Sequence, residues 1–140
     1  MTADRPSSLV LLVEDDAWIR CFIRDVLSDE GYAVVEAADG RTGLRLASER
    51  CPDLVLLDLA MPDVTGMDVL HDLKRAHATQ RVPVLVLSAF TRVLPERDAA
   101  SVAGVLAKPV DVSKLLAAIE EALASEGAAG SSVADAQLAE

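Results

Sequence analysis

Four apolar runs along this 140-residue chain end in polar side chains. "LVLLV" leads into Glu14, Asp15 and Asp16, "LVLL" into Asp58, "VLVL" into Ser88, and "GVLA" into Lys108. An acid at the end of a buried strand is unwelcome unless something there needs a negative charge. Carboxylates gathered within a few ångströms repel, each pair by about 4 kcal/mol at ~4 Å with an effective dielectric near 20. Such a cluster holds a proton or binds a hard cation. Oxygen ligands with no His or Cys nearby favour Mg²⁺, with Mn²⁺ as the alternative. A hydroxyl can donate to a phosphoryl oxygen, and an ammonium adds a point positive charge. A carboxylate beside them can attack phosphorus and form an aspartyl phosphate. In that chemistry the protein contributes positioning and charge neutralisation. Taken singly each residue is ordinary, since an Asp at a strand end is commonly a helix cap or turn former. Their joint placement on four strand ends points to one site.

The elements that must position them follow from periodicity. After the strand at 9–14, Ile19, Phe22, Ile23, Val26 and Leu27 trace a helical stripe that Gly31 ends. "YAVVEA" reads as a second strand, and Asp39-Gly40 opens a helix that Cys51-Pro52 stops. "DLVLLD" is the third strand, and "TGMDVLHDLKRAH" a helix with Leu70 and Leu73 inward. "VPVLVLSA" and "GVLAK" are the fourth and fifth strands. Asp111 can cap a last helix buried through Val112, Leu115, Leu116, Ile119 and Leu123. Strand and helix alternate five times, and the strands are apolar without alternation, as when helices cover both faces of a parallel sheet. The expected fold is α/β, a flavodoxin-like (βα)5 three-layer sandwich with sheet order 2-1-3-4-5. In that order the first and third strands are neighbours, so their acids meet at one edge. The sequence predicts a flexible N-terminus at 1–7, one domain at 8–124 and a disordered tail at 125–140. A partner-induced helix within 131–140 is the alternative for the tail.

Composition narrows the function. Half the residues are hydrophobic but only 3% aromatic, so the core is aliphatic. No apolar run reaches the ~18 residues that span a bilayer, and no secretory leader is visible. The expected location is the cytoplasm. A net charge of −10 argues against nucleic-acid binding. Cys21 and Cys51 stand apart and read as reduced thiols.

At "VLLVEDD", "LVLLDLAMPDVTG", "VLVLSA" and "LAKP" the sequence resembles the receiver domain of two-component response regulators, over about residues 8–124. The resemblance implies that Asp58 is the phosphoacceptor, supplied by a histidine kinase or phosphotransfer protein. It implies that Glu14, Asp15, Asp58 and the backbone carbonyl of Ala60 hold Mg²⁺, with Asp16 at a variable position. Ser88 becomes the switch hydroxyl, Lys108 the phosphate partner, and the Lys108-Pro109 bond is expected to be cis.

Three departures stand out. Val105 occupies the position of the family's switch aromatic. Ser88 and Lys108 are only 20 positions apart, so the fourth helix is short, about two turns from Pro95. Ala60 and Phe90 hold the positions that tune phosphoryl lifetime, and neither side chain can orient a water. Phe90 either screens the site or packs on the short helix. His71 and His77 read as surface histidines on the third helix. Trp18 is expected to pack while serving as a reporter of metal binding.

The leading reading is a stand-alone receiver that signals through altered contacts with an unknown target protein, as a monomer or weak homodimer, and is not an enzyme. The alternative is a pseudo-receiver that binds partners without phosphate. A phosphatase of the haloacid dehalogenase type is disfavoured, because it needs a second Asp where this chain has Ala60.

Overall fold

Strand and helix alternate five times, in the order β1 (Leu9–Val13), α1 (Ala17–Asp29), β2 (Ala33–Ala37), α2 (Gly40–Arg50), β3 (Leu54–Asp58), α3 (Gly66–Arg75), β4 (Val84–Ser88), α4 (Glu96–Ala100), β5 (Gly104–Ala107) and α5 (Val112–Ala139). The computed structural model describes residues 7–60, 66–88 and 96–139. The five strands form one parallel sheet in the order β2-β1-β3-β4-β5, as the sequence predicts. Phe90, Pro95 and residues 1–6 lie outside the described residues.

Each central strand is buried on both faces because its side chains alternate between two helical layers. Leu11, Val13, Val55, Leu57, Val84 and Val86 pack with Ala47, Val69, Leu70 and Leu73 of α2 and α3. Val10, Leu12, Leu54, Leu56, Leu85 and Leu87 pack on the other side with Ile23, Leu27, Leu115, Ile119 and Ala122 of α1 and α5. Asp58 has the parity of Leu54 and Leu56, and Glu14 that of Val10 and Leu12. The register pairs Leu12 with Leu56 and Val13 with Leu57. One step further along, Glu14 comes abreast of Asp58 on the same face.

Local signals set the helix ends. Asp16 caps α1, accepting from the Ile19 N–H at 3.0 Å, and Gly31 follows its end at φ 95°. Asp39 caps α2, and Asp111 accepts from the Lys114 N–H at 3.1 Å at the start of α5.

Several expectations need correction. Trp18 does not pack: it is 84% exposed, and Phe22 is 44% exposed. The buried line of α1 runs through Ile23 and Leu27, with Ile19 partly buried, and residues 18 and 22 lie about 100° round the helix from it. The edge strands are only partly covered, and β5 alternates, leaving Val105 48% exposed. His77 falls in the turn after α3, which ends at Arg75. The fourth helix is short, as the sequence predicts, and its described part is Glu96–Ala100. The last helix runs through Ala139, beyond residue 125. Alanine, the strongest helix former, recurs through that segment.

The α2 cap makes a testable contribution. Asp39 Oδ1 accepts from the Thr42 N–H at 2.8 Å and Oδ2 from the Thr42 hydroxyl at 3.1 Å, which holds its pKa below the ordinary 3.8. A native pKa that is lowered gives stability present above the unfolded value and lost as pH falls through the native one. Asp39→Ala lowers the unfolding free energy by about 1 kcal/mol at neutral pH. In urea unfolding, its gap from wild type narrows once the pH drops below 3.8. A gap of equal size in acid contradicts the assignment.

Candidate functional site

The carboxyl edge of the sheet collects the polar strand ends. Carboxylate oxygens of Glu14, Asp15 and Asp58 lie within 4.8 Å of one another. Glu14 is fully buried and Asp58 is 1% exposed, while Asp15 is exposed. Lys108 reaches in from the end of β5 and bridges the two buried acids, its Nζ 3.0 Å from Glu14 Oε1 and 3.2 Å from Asp58 Oδ1. Ser88 ends β4, buried, and its carbonyl accepts the Lys108 backbone N–H at 2.7 Å, which fixes where the lysine leaves the sheet. The Lys108-Pro109 peptide is cis.

Burial dominates at Glu14 and raises its pKa, partly offset by hydrogen bonds from Lys108 and the Asp16 N–H, while the charge of Asp58 raises it further. Burial also pulls Lys108 down, but its hydrogen bond to Glu14 and the charges of Glu14 and Asp58 outweigh that, leaving its pKa above the ordinary value. The Ala60 N–H donates to Asp58 Oδ1 at 3.1 Å, so both of these contacts fall on one carboxylate oxygen. Among the described residues Glu14 Oε1 meets no polar partner other than the Lys108 ammonium. A buried oxygen left in that state, beside two further carboxylates, suits a hard cation with an all-oxygen shell.

The geometry brings together Glu14, Asp15, Asp58 and Lys108 as predicted, with Ser88 on the adjoining strand end. Asp16 is a helix cap. Phe90 lies outside the described residues. Sequence reasoning missed three supports. Gly66 opens α3 directly against the backbone after Asp58, donating its N–H to the Leu59 carbonyl at 3.0 Å. A Cβ there would sit 2.4 Å from Leu59 Cα and 2.5 Å from the Asp58 carbonyl oxygen, so only glycine fits. Arg20 donates to the backbone carbonyls of Glu14 and Asp15. Its signal was its place one turn after the Asp16 cap, where a helical side chain leans back over the loop. His71 is more than a surface residue: its Nε2 lies 2.9 Å from Oδ1 of the buried Asp98, tying α3 to α4. Beside the site, Trp18, Ile19, Phe22, Lys108, Pro109 and Val110 line an apolar cavity of ≈ 340 Å³.

The doubly covered parallel sheet thus carries clustered acids and a lysine at its carboxyl edge. A family profile described as response regulator receiver domain matches residues 10–120, and the chain belongs to that family. Phosphorylation on an aspartate is the general mechanism of the family, whose members are signalling domains rather than conventional enzymes. The transcriptional regulatory protein PdtaR of Mycobacterium tuberculosis is 40% identical over 119 residues, covering 81% of this chain and 56% of that protein. The KDP operon transcriptional regulatory protein KdpE of Escherichia coli is 41% identical over 117 residues, covering 81% and 50%. The chain thus spans about half the length of these curated relatives. The chemotaxis protein CheY4 of Vibrio cholerae superposes with a TM-score of 0.78 at 28% identity, covering 84% of this chain and 99% of that one. Among the described residues no helix is long and apolar enough to cross a membrane.

Two substitutions probe the site without any phosphodonor. Gly66→Ala forces α3 away from the end of β3 and costs about 2 kcal/mol in urea unfolding; an unchanged midpoint would show that the contact gives way freely. Lys108→Met leaves two buried carboxylates without their cation and costs about 3 kcal/mol at pH 7 in EDTA. A raised native carboxyl pKa means that stability falls as pH rises from 4.5 through the native value of Glu14. The Lys108→Met loss is therefore smaller near pH 4, where Glu14 takes up a proton, and an equal loss at both pH values contradicts the assignment.

Proposed function

We propose that this chain accepts a phosphoryl group on Asp58 from a phosphohistidine of a histidine kinase or phosphotransfer protein. An Asp58 carboxylate oxygen bonds to phosphorus as the phosphorus–nitrogen bond of the donor breaks and the imidazole departs with the electron pair. The observation that carries this reading is the Lys108 ammonium held between Asp58 and Glu14, with Asp15 alongside. Oδ1 of Asp58 takes the contacts from Lys108 and Ala60, so Oδ2 is the attacking oxygen. Lys108 then stands beside the transferred group, and Ser88 is the hydroxyl that donates to it. Glu14, Asp15, Asp58 and the Ala60 carbonyl are the ligands for Mg²⁺, which supplies neutralisation of the phosphoryl charge.

The output is a change in contacts with a target protein, in the cytoplasm, by a monomer or weak homodimer. The exposed Val105 and the five-residue α4 favour a switch that does not depend on an inward-swinging aromatic.

Intact mass after incubation with acetyl phosphate tests the reading. Wild type gains one phosphoryl group in Mg²⁺, none in EDTA, and Asp58→Asn gains none. If neither acetyl phosphate nor candidate phosphohistidine donors produce an adduct, the phosphate-independent interaction module becomes the better account.

A further inference from the structure

The acidic loop is held from behind by a cation outside the site. Arg20 Nη1 donates to the backbone carbonyl of Glu14 at 2.7 Å and, more weakly, to that of Asp15 at 3.4 Å. Its Nε donates to Glu36 Oε1 on β2 at 3.3 Å, and Arg24 Nη1 donates to the other Glu36 oxygen at 3.3 Å. The Arg20 backbone N–H also donates to the Asp16 carbonyl at 2.9 Å. Residue 20 is therefore tied to the loop by main chain and side chain together.

These bonds reach the carboxylates through peptide geometry. In a trans peptide the C=O and N–H point in opposite directions. The Asp15 carbonyl is drawn toward Arg20, which turns the N–H of the same peptide, that of Asp16, the other way. There it donates to Glu14 Oε2 at 3.1 Å, while Glu14 Oε1 faces Lys108. One oxygen of Glu14 is thus oriented by a peptide that Arg20 holds through its weaker bond, while the stronger bond holds the preceding peptide, between Glu14 and Asp15.

We infer that Arg20 is a positioning residue for the acidic pair, setting the Asp15–Asp16 peptide and through it the Glu14 carboxylate, with Glu36 fixing Arg20 in turn. The inference deepens the reading of Glu14, Asp15 and Asp58 as a cation site and rests on it. Lysine is a poor replacement, because a flat guanidinium bonds a carbonyl and a carboxylate in different directions at once and an ammonium on a flexible stem is not pre-organised to do so.

The test compares wild type with Arg20→Gln, Arg20→Lys and Glu36→Gln. The Asp16 amide is followed in ¹⁵N–¹H spectra of metal-free protein, Mg²⁺ affinity by Trp18 fluorescence, and thermal unfolding alongside. In Arg20→Gln the Asp16 amide proton moves upfield, and Mg²⁺ affinity falls about tenfold, the lower end of what is lost when a group orienting metal ligands is removed. Glu36→Gln moves both readouts in the same direction by less and keeps the test open if Arg20→Gln does not fold. Arg20→Lys restores only part of each. If melting temperature falls while the Asp16 amide and the Mg²⁺ affinity stay as in wild type, Arg20 is a brace and the inference is overturned. If wild type itself gives no Mg²⁺ response but the Asp16 amide still moves in Arg20→Gln, the positioning of Glu14 is supported and the cation-site reading fails.

Discussion

The edge of this sheet depends on one ammonium. Glu14 and Asp58 are carried by the strands into surroundings that burial makes hostile to charge, and Lys108 is the cation among the described side chains that touches both. Its attraction offsets a desolvation penalty that two neighbouring carboxylates would otherwise face alone. Glu14 bears most of the remaining strain, with a pKa raised by burial and an oxygen whose polar partner among the described residues is Lys108 alone. The site is therefore built to exchange partners. Any cation or phosphoryl group entering it competes with or joins an existing balance rather than filling neutral space.

The supports around that balance are mostly backbone contacts. Gly66 lies against the peptide after Asp58, the Ala60 N–H holds Asp58 Oδ1, and Arg20 gathers the carbonyls of the Glu14–Asp15 turn. Gly66 and Arg20 fix the chain that carries an acid, while the Ala60 N–H orients Asp58 through one carboxylate oxygen.

Much of the fold and site was legible in the sequence because it depends on short-range pattern. Apolar runs ending in Glu14, Asp58, Ser88 and Lys108 declare both a parallel sheet and its polar edge, and Asp16, Gly31 and Asp39 mark helix ends by local chemistry. What stayed hidden depends on angle and distance between elements. The stripe through Ile19, Phe22 and Ile23 shows a helix but not which side of the arc faces the sheet, which is why the exposure of Phe22 and of the neighbouring Trp18 is not legible there. The pairing of His71 with Asp98 crosses 27 positions and leaves no local trace. Glu36 interrupts an apolar strand visibly, yet only the packing of α1 on β2 reveals that two arginines converge on it.

The step-by-step pairing of β1 with β3 carries a consequence for failure. Side chains alternate along both strands, so a slip of a single residue would turn one acid toward α2 and α3 while leaving the other facing α1 and α5. The same slip would swap the helical layer that each β3 side chain meets, so fitted core contacts are lost together with the site. Core and site thus share one tolerance for error. A mispaired sheet therefore forfeits the meeting of Glu14 and Asp58 at the same step as its packing.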